Sequence, residues 1–203
     1  MNSQQSQDSQ QNQDSPDAQA VLAAAAEHFG LLLAQVRVEQ SGAPTPCDPW
    51  TVRDLIEHVI GGNQWAARLL AGASAAEAMA QVKATAFSGD LIADYTAGVQ
   101  AQQAAFSADG ALDRTVAHFI GPVPARQFLG MRIGDVLIHS WDLARAAELD
   151  EQLPAGLVQA GLAIYEARAG QLAGTGMFGA GAQGAPPPRT EQERLLQLTG
   201  RRP

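Results

Sequence analysis

The stretch from Gly130 to Ala146 constrains the fold most, because it carries two side-chain patterns at the spacing of an α-helix. Apolar residues recur in it at steps of three and four, which is typical of a helix with one face against a core. The positions of this apolar stripe are Leu129, Ile133, Val136, Leu143 and Ala147, with one step skipped at Ser140. The stretch therefore predicts a long helix with one buried face.

A polar stripe runs along the same stretch. Asp135, His139 and Asp142 are spaced by four and then three residues, so their side chains lie above one another on one side of the predicted helix. This stripe lies about 100° around the helix from the apolar one, at the border of the core. Carboxylate and imidazole groups there need a partner, because burying them unpaired is costly. A divalent metal is one such partner, and a second histidine from another helix would complete its site.

Composition limits what the protein binds. The chain has 203 residues, is 46% hydrophobic but only 5% aromatic, and has a formal net charge of −8. Nucleic-acid binding needs clustered Lys and Arg, so it is not expected. No apolar run approaches the roughly 20 residues of a membrane span, and the N-terminus lacks the pattern of a signal peptide. Cys47 is the single cysteine, so no internal disulfide can form. We expect a soluble, cytoplasmic protein that binds neither nucleic acid nor membranes.

The chain divides into three segments. Residues 1–17 are almost entirely Gln, Ser, Asn and Asp, which predicts a disordered tail. Residues 18–172 contain the long helical patterns, and residues 173–203 form a Gly/Pro-rich loop and a short C-terminal helix. The predicted helices are 18–38, 51–72, a weaker 74–83, 91–106, 130–146, 157–172 and 191–198, with 109–130 irregular and 115–120 extended. Together they predict an all-α fold, an antiparallel four-helix bundle with an additional C-terminal helix.

A three-ligand metal site follows from combining two of these helices. His58 lies on the inward face of the helix that begins at Thr51, and bundles commonly build metal sites from facing helices. His58, Asp135 and His139 supply two imidazoles and one carboxylate, a set that suits zinc or another divalent first-row metal. Three protein ligands leave one position open for water or substrate. The same spacing would occur without a metal, if His58 were a hydrogen-bonded core histidine and Asp135 and His139 were an ordinary pair on one helix face.

Two motifs resemble the superfamily of DinB-like proteins and mycothiol-dependent maleylpyruvate isomerases. Residues 46–63, which read PCDPWTVRDLIEHVIGGN, resemble its second-helix motif, and residues 135–146, which read DVLIHSWDLARA, resemble its later metal-ligand motif. The stretches 176–179 and 195–200 are similar to an actinobacterial subgroup of metal-binding proteins. The resemblance implies a DinB-like four-helix bundle and a thiol cofactor, mycothiol or a similar low-molecular-weight thiol.

The resemblance also implies that the metal ligands are His58, Asp135 and His139. The characterised isomerase has Glu where this chain has Asp135, and the Asp carboxylate reaches less far because it is one methylene shorter. Asp142 is then either a further metal ligand or the acceptor that orients a ligand imidazole.

Three other residues are candidates for contacts with the cofactor or substrate. Asn63 and Trp141 lie near the predicted ligands and would either line a pocket or pack in the bundle. Arg132 could hold a carboxylate, or it could lie on a solvated helix face.

Three functions are compatible with these residues. The favoured one is a metal-dependent transferase or isomerase, in which a mycothiol-like thiolate adds to a small electrophilic molecule. The second is a stress or regulatory protein that binds a metal or ligand without catalysis. The third is a metal-free enzyme that uses the bundle cavity, with histidines as acid and base. In each case the partner is a small molecule, and the protein is a monomer or a homodimer.

Overall fold

A computed structural model of the protein describes residues 17–85, 87–167 and 184–203. The predicted N-terminal tail and the motif at 176–179 therefore lie outside the described residues, apart from Asp17. The α-helices within the described ranges are α1 Ala18–Leu33, α2 Val52–Leu70, α3 Ala75–Ala84, α4 Leu91–Ser107, α5 Ala125–Ala146, α6 Ala155–Glu166 and α7 Glu191–Leu198. A short hairpin pairs β1 Thr115–His118 with β2 Gly121–Pro124.

The four long helices form the bundle. Helix α2 packs against α4 and α5, and α1 packs against α5 and α4. The core between them is built around large buried side chains, of which the largest are Trp141, Phe29, Phe106 and Phe128. Helix α6 packs on α5, and α7 packs on α6. The predicted all-α bundle with an additional C-terminal helix is confirmed.

The start of α2 follows from its local sequence. The Thr51 hydroxyl accepts a hydrogen bond from the Asp54 backbone N–H, and the Asp54 carboxylate accepts one from the Thr51 N–H at 2.9 Å. This reciprocal cap satisfies two backbone donors that the helix itself leaves unpaired. The cap residue Thr51 lies seven residues before His58, so the register of the face that carries His58 is set locally.

Helix α5 begins earlier than the sequence predicts. It starts at Ala125 rather than Gly130, because β2 leads directly into it and the Ala125 N–H donates to the Arg114 carbonyl at 2.8 Å. Gly130 is an interior helical residue whose open side faces Ile164 of α6. Burial of Phe128 and Leu129 stabilises this extra turn.

The hairpin and two helix ends also differ from the prediction. The extended segment ends at His118, and His118 pairs with Gly121 so that residues 119–120 form a two-residue tip. The second strand was missed because Pro122 and Pro124 are usual strand breakers, yet they are tolerated here because each strand of a two-stranded sheet is an edge. Helix α1 ends at Leu33 rather than near residue 38, and α6 begins at Ala155 rather than Leu157. The predicted continuation of α6 over 168–172 lies outside the described residues.

The search for membrane spans in the described ranges found no helix that combines the length and the apolarity needed to cross a bilayer.

Candidate metal centre

Three predicted ligands from two helices meet at one point. His58 comes from α2, and Asp135 and His139 come from α5. One ligand atom from each lies within 4.8 Å of the other two. The Asp135 Oδ1 atom is 3.5 Å from the Nε2 atom of His58 and 3.5 Å from that of His139. The two imidazole rings meet edge to face, with their centroids 4.9 Å apart.

These distances fit a divalent first-row metal. In a tetrahedral zinc site with nitrogen and oxygen ligands at about 2.0–2.2 Å, neighbouring ligand atoms are roughly 3.4 Å apart. The two separations of 3.5 Å match that spacing. The His139 side chain is nearly buried, whereas those of Asp135 and His58 are 28% and 37% exposed. The ligand set is therefore closed at His139 and open towards solvent at His58 and Asp135.

His139 is held by a second carboxylate. Its Nδ1 atom lies 3.0 Å from Oδ2 of Asp142, whose side chain is fully buried. A hydrogen bond at Nδ1 leaves Nε2, which faces Asp135 and His58, as the nitrogen that would bind a metal. Of the two roles open to Asp142 from the sequence, this position is that of the orienting acceptor.

Cys47, His139 and Asp142 form a second group with metal-ligating atoms close together. The Cys47 thiol lies 3.2 Å from Asp142 Oδ2 and 3.9 Å from His139 Nδ1. The guanidinium of Arg201 donates to the same Asp142 oxygen at 2.7 Å and to the Cys47 sulfur at 3.4 Å. A cation already occupies this position, so we favour the first group as the metal site.

Arg132 anchors Asp135 from the opposite side. Its Nη1 donates to Asp135 Oδ2 at 2.8 Å, its Nε to Gln102 Oε1 at 2.8 Å and its Nη2 to Asn63 Oδ1 at 3.0 Å. The guanidinium thereby joins α5 to α2 and α4. It takes Oδ2 of Asp135 and leaves Oδ1 directed at the two histidines. Gly62 leaves room on α2 for the Arg132 guanidinium, because a Cβ at this position would lie 2.7 Å from Nη1.

Electrostatics set the charge state of the ligands. Burial alone would raise the pKa of Asp135, but Arg132 and His139 hold it well below its usual range. Burial alone would lower the pKa of His139, but the carboxylates of Asp135 and Asp142 raise it well above the ordinary value. The two carboxylates therefore favour the protonated form of the His139 imidazole in the metal-free protein. A metal would take the place of its proton.

The ligand set lies in a cleft of about 1160 Å³. His58, Asp135 and His139 line one part of this cleft, beside Cys47 and Arg201 from the loop before α2 and from the C-terminal segment. Another part is lined by aromatic and aliphatic side chains. The cleft is large enough for a drug-sized molecule, since ligand pockets typically enclose about 300–1,000 Å³.

The sequence profile of the mycothiol maleylpyruvate isomerase N-terminal domain matches residues 22–144. The chain belongs to this family. Two uncharacterized proteins, from two strains of Mycobacterium tuberculosis, are each 36% identical to it over 178 residues, which are 87% of this chain and 93% of theirs. The superfamily predicted from the two motifs is thus confirmed.

Solved structures show the same fold. The crystal structure of the mycothiol-dependent maleylpyruvate isomerase has a TM-score of 0.57 at 21% identity, and that of a histidine-to-alanine mutant has 0.57 at 20%. Each comparison covers 73% of this chain and 68% of the other. The part that matches the mycothiol maleylpyruvate isomerase N-terminal domain contains His58, Asp135 and His139, whereas Arg201 lies beyond it.

Two of the three residues predicted to contact a cofactor do not line the cleft. Trp141 is buried in the bundle core, and the Arg145 guanidinium stacks 4.2 Å from the centre of its ring. Asn63 is also buried and reaches the site only through its bond to Arg132. Both side chains point inwards because their helices are covered on that side. Arg132 lines the cleft, but its guanidinium is occupied by three protein oxygens.

Sequence analysis missed several residues of the site. Gln102 holds Arg132, and Arg201 binds Asp142, yet neither has a spacing that points to the ligands. Cys47 has no cation beside it in the sequence that would mark it, since its charged neighbour is Asp48 and Arg201 is 154 residues away along the chain. The ring of Trp50 packs 4.6 Å from that of His58. The position of Trp50 immediately before the cap residue Thr51 was the sequence feature that could have marked it.

Proposed function

We propose that this protein is a divalent-metal-dependent enzyme that uses a low-molecular-weight thiol, such as mycothiol, to transfer the thiol to a small electrophilic molecule or to isomerise it. The observation that carries the proposal is the convergence of His58, Asp135 and His139 at a solvent-accessible cleft. The family name, which pairs mycothiol with a maleylpyruvate isomerase, supports the thiol and the electrophile.

Zinc or another divalent metal would be held by His58 Nε2, Asp135 Oδ1 and His139 Nε2, and when bound it supplies a Lewis acid that favours the thiolate form of a thiol. The surrounding protein residues hold the metal ligands in place. Asp142 fixes the ring of His139, and Arg132 fixes the carboxylate of Asp135. Because these partners are buried, the ligands are preorganised before the thiol enters.

The reaction is proposed to begin when the thiolate forms a carbon–sulfur bond to an electrophilic carbon conjugated to a carbonyl group. The electron pair of the carbon–carbon double bond then moves towards the carbonyl oxygen. In isomerisation the former double bond rotates, the electron pair returns to re-form it, and the carbon–sulfur bond breaks so that the thiolate leaves again. In transfer the adduct is protonated and released. The open side of the ligand set, at His58 and Asp135, is where the two reactants would meet.

The test combines metal content with turnover. Protein purified without a His tag is analysed for metals, and consumption of a model electrophile is followed with mycothiol, with and without added zinc. We expect about one divalent metal per chain and a loss of more than about 100-fold in rate for His58→Ala and His139→Ala. The control is His28→Ala, since His28 of α1 is absent from the residues that line the cleft in the described part of the chain.

Two outcomes would contradict this proposal. Tight metal binding without thiol affinity, measured by calorimetry, would favour a binding protein without catalysis. Full turnover in the presence of a chelator would favour an enzyme that uses its histidines as acid and base.

A further inference from the structure

An aromatic wall lies in the same cleft as the candidate metal site. We use this term for Trp65 of α2 and Phe119 at the tip of the β1–β2 hairpin. Their rings stack with centroids 5.1 Å apart and planes 9° apart. Trp65 is nearly buried, whereas Phe119 is 60% exposed although it lines the cleft. A large exposed ring that is already stacked in the free protein has lost its rotamer freedom before a ligand arrives.

The surroundings of the aromatic wall are apolar. Helix α3, the segment after it and α5 contribute five further apolar side chains to the lining of the cleft. They are Met79, Val82, Phe87, Phe128 and Met131. His118 and Phe128 also contact the ring of Trp65 edge to face, at 4.9 and 5.7 Å between centroids. A planar ligand is the shape that such flat, stacked surfaces bind best, because offset and edge-to-face contacts add to the burial of apolar area.

Free positive charge is scarce along the cleft. Of the Lys and Arg residues that line it in the described part of the chain, Arg132 donates to Asp135 and Arg201 donates to Asp142. Lys83 is the remaining one, and it lies exposed at the end of α3. Asp48 and Glu57 add negative charge to the lining. A small dicarboxylate would therefore find few unpaired cations, whereas a neutral apolar group would leave no charge unpaired.

The rise of helix α2 gives the distance between the metal-ligand part of the cleft and the aromatic wall. Trp65 comes seven residues after His58 on the same face, which is two helical turns or about 10 Å. Gly61 and Gly62 lie between them and also line the cleft, so the surface between the ligand set and the aromatic wall is formed there by Val82 and the Arg132 guanidinium, which pack on the two glycines.

We propose that the aromatic wall binds a planar apolar group, such as an aromatic ring, of the electrophilic substrate, whose reactive carbon lies about 10 Å away at the metal site. This inference rests on the proposed function for the identity of the reactive end. The binding of the planar group itself depends only on Trp65, Phe119 and their apolar neighbours.

The hairpin tip offers a matched pair of variants. Phe119 and Ile120 are adjacent, both are 60% exposed, and of the two only Phe119 lines the cleft. The probe is 2-naphthol, a neutral planar molecule, titrated into the full chain in chelator and followed by ligand-observed NMR. We expect Phe119→Ala to weaken binding about tenfold, Phe119→Leu to weaken it less, and Ile120→Ala to leave it unchanged.

The outcomes separate this inference from the proposed function. His58→Ala should abolish metal binding but leave the affinity for 2-naphthol unchanged. Equal losses in Phe119→Ala and Ile120→Ala would overturn the inference, as would tighter binding of maleate, a small dicarboxylate, than of 2-naphthol. A change of sedimentation in Phe119→Ala without a change in 2-naphthol affinity would also overturn it, because the wall would then bind a second copy of the chain.

Discussion

His139 presents its two ring nitrogens to two different carboxylates. Nε2 lies 3.5 Å from Asp135, and Nδ1 lies 3.0 Å from Asp142. A histidine that binds a metal through one nitrogen usually donates the other N–H to a carboxylate or carbonyl, which fixes the ring and its tautomer. If His139 binds a metal through Nε2, this division gives Asp142 the position of a residue that orients the imidazole.

At this scale, we predict that Asp142→Asn lowers zinc affinity by about 10–100-fold, because an amide orients the imidazole less strongly than a carboxylate does. Competition with a chromophoric chelator measures the affinity. The matched control is Asp113→Asn, since Asp113 forms an exposed ion pair with Arg126 far from the ligands. An unchanged affinity in Asp142→Asn would contradict the assigned role.

The raised pKa of His139 predicts that metal binding depends on pH. Below that pKa the imidazole is protonated, so a metal must displace a proton and its apparent affinity rises as pH rises, by up to about tenfold per pH unit. Asp135 adds no dependence near neutrality because its pKa lies well below its usual range. Calorimetry in buffers of different ionisation enthalpy should detect about one proton released per zinc at pH 6.5. Zero release there would show that His139 is already neutral.

At the scale of elements, the contact between α2 and α5 depends on one glycine. Gly62 faces α5, and a Cβ there would lie 2.7 Å from Nη1 and 2.9 Å from Nη2 of Arg132. The guanidinium cannot move aside freely, because Asp135, Asn63 and Gln102 hold all three of its nitrogens. The space left by Gly62 therefore fixes the carboxylate of Asp135 through Arg132.

We predict that Gly62→Ala destabilises the protein by about 0.5–2 kcal/mol. Losing one charged hydrogen bond of Arg132 costs about 1.5–3 kcal/mol, and the higher helix propensity of alanine offsets about 1 kcal/mol of this. Urea unfolding of the metal-free protein measures the change. Gly156→Ala in α6, where nothing lies within 4 Å of the new Cβ, should not destabilise the protein. Stability of Gly62→Ala at or above the wild-type value would refute the prediction.

At the scale of the whole molecule, the end of the chain completes the surroundings of the ligand set. Arg201 follows α7 and donates to Asp142 at 2.7 and 3.2 Å and to Cys47 at 3.4 Å. Asp142 belongs to α5, and Cys47 belongs to the loop before α2. Three distant parts of the chain therefore meet at one buried carboxylate, whose charge Arg201 offsets, and α6 and α7 place Arg201 there by packing on α5 and on each other.

We predict that Arg201→Gln destabilises the fold by roughly 1–3 kcal/mol, because the buried carboxylate of Asp142 loses its guanidinium partner. Denaturant unfolding measures this loss. Arg194→Gln is the control, since Arg194 pairs with Glu166 in an exposed ion pair and should change stability by less than about 1 kcal/mol. Equal effects of the two substitutions would show that Arg201 acts only at the surface.

Local patterns were enough for the helices and for the ligand pair on α5. The cap at Thr51 and Asp54 depends on neighbours three residues apart, and the stacking of Asp135 and His139 depends on a four-residue step. Only the first strand of the hairpin was predicted. Pro122 and Pro124 usually break strands, but the second strand tolerates them because both strands of a two-stranded sheet are edges. The extra turn of α5 before Gly130 depends on burial of Phe128, which is a tertiary effect.

What the sequence determined by itself is therefore the all-α class and the helix face on which His58, Asp135 and His139 lie, because these depend on contacts within one or two helical turns. The tertiary structure decided that His58 meets Asp135 and His139, and that Trp141 lies in the core instead of the cleft. It also brought Gln102 and Arg201 to the site. Such contacts join residues tens to more than a hundred positions apart, and only the packing of the helices on one another determines them.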